Sequence, residues 1–147
     1  MLVLWWVLVF SARCSGADEI PLDRAGQSST YNTYSAANAI DGDPSTGSIT
    51  NQEDPARLRV YFESSSNVEQ VVIETGYSKS SSCVYTVSVY DGEVETECGT
   101  YTGKYDWYYN ETVQCGGKAG DSVRLRQTGC TQSLVVFEIE VFGQGKY

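Results

Sequence analysis

Asn38, Asp41 and Asp43 fall within six positions of one another, in the run Ala36-Ala-Asn-Ala-Ile-Asp-Gly-Asp-Pro-Ser-Thr46. Gly42, between the two aspartates, permits a sharp turn. Carboxylates, an amide and backbone carbonyls converging on a tight loop are the ligand set of a hard cation such as calcium. The spacing is not that of an EF-hand, and on residue types alone a solvated Asp-Gly turn is the simpler reading. Aromatic side chains form a second candidate surface. Tyr101, Tyr105, Trp107, Tyr108 and Tyr109 crowd one hairpin, while Tyr31, Tyr34 and Tyr77 sit in loop-like sequence. Such rings stack on sugar C–H faces and anchor interfaces. Strand alternation predicts Trp107 and Tyr109 in the core and Tyr108 outside.

What is missing narrows the chemistry further. The chain of 147 residues contains no histidine, which removes His-based triads, the usual zinc ligands and the commonest general base. There is no Gly-rich phosphate loop. Paired carboxylates of the glycosidase kind remain, but Asp41 and Asp43 lie in the candidate cation loop. The chain therefore reads as a non-enzyme.

Met1 to Phe10 is an uninterrupted apolar run, followed by Ser15, Gly16 and Ala17. This pattern predicts a secretory signal over residues 1–17, too short for a spanning helix of about 20 residues. Residues 18–147 then form a single domain. Removing Arg13 with the signal leaves 9 basic against 19 acidic residues, a net charge of −10. Such a surface repels phosphate backbones and anionic lipid, so neither nucleic acid nor membrane insertion is expected. Four cysteines remain, Cys83, Cys98, Cys115 and Cys130, and predict two disulfides with three connectivities open. The sequon Asn110-Glu111-Thr112 fits the same extracellular compartment as a glycosylation acceptor.

The elements that would position these groups are short strands. Leu58 to Phe62, Val68 to Glu74, Val84 to Tyr90, Tyr105 to Gln114, Ser122 to Arg126 and Leu134 to Phe142 are β-branched and aromatic with a period near two. Turn residues separate them at Ser64 to Asn67, Ser78 to Ser82, Asp91-Gly92, Gly116-Gly117 and Gly120-Asp121. The pattern predicts an all-β antiparallel sandwich or barrel. In the last strand Phe137, Ile139 and Val141 should share one face, with Glu138 and Glu140 on the other. Gln27 to Asn51 is long, polar loop sequence, unusual in a compact domain unless it serves a function.

The run Gln27-Ser-Ser-Thr-Tyr31 followed by Ser35-Ala-Ala-Asn-Ala-Ile-Asp-Gly-Asp43 resembles the opening of discoidin-type (coagulation-factor type C) domains. Val113-Gln-Cys-Gly116, Asp121-Ser-Val-Arg-Leu125 and Phe137-Glu-Ile-Glu-Val-Phe-Gly143 are similar to the fucose-binding branch, the F-type lectins or fucolectins. The resemblance covers Ile20 to Gly143. It implies a jelly-roll β-sandwich of about eight strands with ligand loops at one end. It also implies a structural calcium held by Asn38, Asp41, Asp43, Ser48, Phe137 and Glu138, the Asn38 and Phe137 contributions being carbonyls. A cation would neutralise Glu138 beside Asp41 and Asp43, and with the resemblance calcium becomes the favoured reading.

Two departures bear on the ligand. Asn51 stands where the lectin pattern has a sugar-binding histidine, and Glu74 to Ser82 carries Lys79 as its sole cation where that pattern has two arginines. A cysteine pair of that branch is replaced by Ile49 and Phe137. The resemblance pairs Cys98 with Cys115, bridging neighbouring strands, which leaves Cys83 for Cys130. The expectation is a secreted, calcium-dependent, non-catalytic lectin-like module for glycans or glycoproteins. Asn51, Lys79, Tyr77 and Tyr34 would be its direct contacts. Homo-oligomerisation, by which lectin domains gain avidity, is compatible with the sequence. The alternative is an acidic extracellular-matrix or adhesion protein without a sugar site, its Glu93, Glu95, Glu97 row meeting mineral, cations or partner proteins.

Overall fold

The computed structural model describes residues 17–76 and 82–145. The expected signal segment lies almost wholly outside the described residues. Among the described residues there are eight strands: β1 (Asp18–Glu19), β2 (Leu22–Gln27), β3 (Ser48–Ile49), β4 (Ala56–Thr75), β5 (Val84–Asp91), β6 (Val94–Thr102), β7 (Tyr109–Thr128) and β8 (Val135–Gly145). One 3₁₀ helix, Ala36–Ile40, interrupts the early loop. No helix among the described residues is long and apolar enough to cross a membrane.

Every strand pairing is antiparallel, and the two 20-residue strands β4 and β7 serve both layers of a sandwich. Residues 56–61 of β4 lie between β2 and residues 122–127 of β7, and β5 and β6 extend this larger sheet. Residues 66–75 of β4 lie between residues 109–120 of β7 and β8, with β1 and β3 on the far side of β8. Two kinks carry the chain from one layer to the other. The register jumps between Tyr61 and Ser66 in β4, and Cys115, Gly116 and Gly117 oppose Glu69 alone. Gly116 and Gly117 have φ of +61° and +82°, a conformation that side chains with a Cβ rarely adopt. The expected turns at Ser64 to Asn67 and Gly116-Gly117 are therefore bends within continuous strands. Turn-forming residues mark both features, because both need relief from ideal pleating.

The core lies between the layers. Leu58, Leu125 and Val87 form one cross-strand row, Val60, Val123 and Val89 the next, and all six are buried. Val71, Val141, Ile73 and Ile139 face them from the smaller sheet. Both disulfides form, Cys83–Cys130 and Cys98–Cys115. The second does not join ladder neighbours as expected. Cys98 is on β6, at the edge of the larger sheet, and Cys115 is at the β7 kink, so the bond ties the two layers together.

Two further sequence expectations are corrected. Phe137 is not in line with Ile139 and Val141: Thr75 pairs with Val136 while Glu74 pairs with Glu138, so Phe137 is a bulge residue. Val136 takes the core place and Phe137 is half-buried. Strand β7 begins at Tyr109 rather than Tyr105, so Trp107 is 74% exposed and only Tyr109 turns inward.

Candidate functional site

The early loop closes over the outer face of β8. After the 3₁₀ helix the chain turns at Gly42, whose φ of +76° needs glycine. Asp41 Oδ1 accepts the Asp43 N–H at 2.9 Å, and Asp41 Oδ2 accepts the Thr46 hydroxyl at 2.5 Å. The Thr46 oxygen also lies 3.3 Å from the Asn38 carbonyl. Asn38 Nδ2 donates to the Gly47 carbonyl. Asp43 turns away, its Oδ1 accepting the N–H and hydroxyl of Ser45. Ser48 is buried and its hydroxyl donates to the Val136 carbonyl at 3.3 Å.

Glu138 meets this loop from below. It points out of the core, yet is 6% exposed because the Asp41-Gly42 turn covers it. Burial, a hydrogen bond with Asp41 and the Asp41 charge push its carboxyl up to about 8. Asp41 is held below the usual carboxylate range by Thr46, then the Asp43 N–H, then Glu138. The pair is thus a protonated Glu138 donating to an ionised Asp41. Glu138 Oε1 and Glu74 Oε2 are buried without a hydrogen-bond partner, and these two glutamates face each other across β4 and β8. Beside them Glu140 is raised by burial and by the charges of Glu19 and Glu74. A buried carboxyl with an unused oxygen, a second carboxylate and a carbonyl nearby are donors suited to a hard cation. Asn38, Asp41 and Glu138 come together in this way. Among the described residues no three His, Cys, Asp or Glu side chains converge on one point, so carbonyl and hydroxyl oxygens would complete the shell.

Alongside lies a shallow cleft of about 370 Å³, lined by Tyr34, Ser45, Gly47, Ile49, Val135 and Phe137. Backbone bonds from Tyr31 to Ile49 and from Ile49 to Tyr34 fix its outer wall, and Tyr31 stacks on Tyr34 at 6.3 Å. The Phe137 bulge forms its floor. Its ring packs on Tyr108 at 5.7 Å, and the Tyr108 hydroxyl is hydrogen-bonded to Glu74. Tyr105 and Trp107 stand exposed on the same hairpin. Tyr34 therefore lines the cleft. Asn51 is exposed, two residues past Ile49, with its N–H donating to Ser29 Oγ; it does not line the cleft. Tyr77 and Lys79 lie outside the described residues. Sequence reasoning missed Thr46 and Glu74, whereas Tyr108 stands exposed on the aromatic hairpin it had singled out. Thr46 was legible as the hydroxyl three residues after Asp43, whereas Glu74 reaches the site only through its strand register against Glu138.

A two-layer antiparallel sandwich with a loop-end cleft beside an acidic pair defines a galactose-binding-domain-like β-sandwich. The chain belongs to the F5/F8 type C family, the NedA-like, galactose-binding domain, whose family model matches residues 38–125. A search of curated protein sequences finds no match. Among solved structures it is similar to the f-lectin (fucolectin) from striped bass (Morone saxatilis) serum. That match has 21% identity and a TM-score of 0.71, covering 82% of this chain and 45% of that one. The chain thus spans less than half of the fucolectin. It is also similar to the family 32 carbohydrate-binding module of C. perfringens NanJ, solved with galactose, at 20% identity and a TM-score of 0.72. There 86% of this chain and 98% of that one are covered. Chitosan-binding module 1 of a Paenibacillus sp. IK-5 chitosanase/glucanase has 23% identity and a TM-score of 0.73, over 84% and 97% of the two chains. At these identities the likeness shows the fold.

Proposed function

We propose that the chain is a secreted, non-catalytic carbohydrate-binding module of lectin type that takes a glycan at the loop end. The observation that carries this reading is the convergence, at one end of the sandwich, of an aromatic-walled cleft with a carboxylate pair short of one ligand. Tyr34, Phe137 and the Tyr105–Tyr108 hairpin would offer ring faces to a sugar. Calcium would be held by Asp41, Glu138 and the Asn38 carbonyl, with Asp43 and Ser48 reached by rotation away from Ser45 and Val136. Its role there is to neutralise the buried carboxylates and tie the early loop to β8. Asn51, Tyr77 and Lys79 remain candidate contacts around the same loops. Two disulfides and the exposed Asn110 sequon are compatible with an extracellular site of action. The solved neighbours include proteins described as binding galactose and as a fucose-binding module, which supports a saccharide ligand here.

A glycan array probed with and without chelator tests the reading. Binding that requires calcium and is lost in Tyr34→Ala is expected. Binding indifferent to chelator removes the calcium, and an array blank in calcium removes the lectin. The acidic-matrix alternative loses ground on one contact: Glu95, the centre of the Glu93–Glu97 row, is ion-paired with Arg124 at 2.8 Å.

A further inference from the structure

On the side opposite the core, the larger sheet carries Arg24, Arg57, Arg59, Arg124 and Arg126, five of the ten basic residues of an acidic chain. Arg57 stands directly across from Arg126, and Arg59 across from Arg124. Like charges directly opposite on neighbouring strands destabilise a sheet. The nearby carboxylates offset this only in part. Asp121 is 4.0 Å from Arg59, and Glu95 pairs with Arg124, both at the Tyr61 end of the block. Glu53, on the Arg57 side, already accepts the hydroxyls of Ser28 and Ser29.

Tyrosines hold the guanidiniums in place. Arg24 lies 4.0 Å over the Tyr61 ring, Arg59 lies 4.2 Å over Tyr90 and 5.0 Å from Tyr61, and Arg124 is 5.0 Å from Tyr90. Stacking pre-organises the guanidiniums. Arg59 donates its Nε to Ser122 Oγ and one Nη to the Gly92 carbonyl, and Arg124 donates one Nη to Glu95, so their remaining N–H groups are what an oxygen acceptor would meet. Arg124 Nε and Arg126 Nε are buried with no acceptor. A groove of about 320 Å³ runs beside Arg124, lined also by Gly26, Gln27, Ser28, Arg57, Arg59 and Tyr61. Gly26 pairs with Arg59 across β2 and β4, and a Cβ there would meet nothing within 4 Å. The absence of that side chain leaves the guanidinium edge open.

We propose that this groove binds the carboxylate of a uronate-bearing saccharide. A planar carboxylate matches the fork of donors that a guanidinium presents, and the volume suits one sugar residue. The patch is confined to three strands of a chain whose net charge of −9 opposes any extended polyanion, phosphate polymers and anionic membranes included, so the ligand is a short saccharide. This site is on the sheet face, apart from the loop-end cleft, and stands independently of the function proposed above.

Titration calorimetry with digalacturonate, and with its methyl ester as the uncharged control, tests the proposal. Saturable binding is expected for the acid and not for the ester, weakening from low to physiological salt. Arg57→Gln with Arg59→Gln, both lining the groove, should weaken it roughly tenfold or more. Gly26→Leu should block the groove without lowering the melting temperature, because the new side chain enters open space at a strand position with ordinary φ. Neutral-glycan binding and the calcium response should be unaltered in both variants, which separates this site from the loop end. No binding, equal binding of the ester, or binding that survives Gly26→Leu overturns the proposal. So does a salt-sensitive dimer in sedimentation that Gly26→Leu dissolves, which would assign the groove to an acidic strand of a second copy.

Discussion

Calcium added to the protein at pH 7 should displace close to one proton per ion bound. Glu138 is held protonated, its carboxyl raised to about 8, because it is buried and faces the ionised Asp41. One pH unit below that value a group is about nine-tenths protonated, so a cation that takes both carboxylates must expel about 0.9 proton. Calorimetry in two buffers of different ionisation enthalpy reads that number directly. The same linkage fixes a sign for stability. Glu138 has a folded pKa above its ordinary 4.5, so in the metal-free protein its contribution is full below about pH 4.5. That contribution is lost as pH rises towards 8, at up to about 1.4 kcal/mol per unit. Calcium should flatten that loss. At a hundredfold excess over Kd it should add about 2.7 kcal/mol, or roughly 8 °C in Tm at about 3 °C per kcal/mol. Glu138→Gln should remove the proton release and most of the thermal gain, while Glu63→Gln, an exposed position outside the site, should leave both intact. Calcium binding without proton release would refute the buried Asp41–Glu138 pair as its seat.

Tyr34→Ala should abolish glycan binding with less than about 1 kcal/mol of destabilisation, read by array and urea titration, because its ring is substantially exposed at the cleft wall. Replacing Cys83 and Cys130 by serine should lower unfolding stability by about 4 kcal/mol in the chain-entropy account, given their separation of 47 residues. Leu125→Ala, at a fully buried cross-strand position, should cost about 2–5 kcal/mol in denaturant unfolding. Gly117→Val should destabilise markedly as well, through backbone strain at φ +82°.

Alternation alone placed Ile139 and Val141 inside and Glu138 and Glu140 outside, because side-chain direction in a strand follows from a period of two and burial of the apolar face. Histidine's absence, the cysteine parity and the acidic balance likewise bounded the chemistry without any fold. The Asp-Gly loop offered hard oxygen donors by residue type, since ligand preference is a property of the donor atoms, but residue type alone left a solvated turn as the simpler reading. What no local rule could supply was register. Phe137 has the alternation of a core residue, yet a one-residue slip against Glu74 and Thr75 expels it into the cleft and gives Val136 its place. Glu138 looks like an ordinary exposed glutamate until the loop, about 100 residues earlier in the chain, folds over it and raises its carboxyl. The arginines are scattered as Arg24, Arg57, Arg59, Arg124 and Arg126 along the sequence, and only the pairing of β2, β4 and β7 gathers them on one face. Residue type sets what a side chain can do; long-range strand pairing sets what it faces, because cross-strand neighbours are separated in sequence by whatever length of chain the connections happen to span.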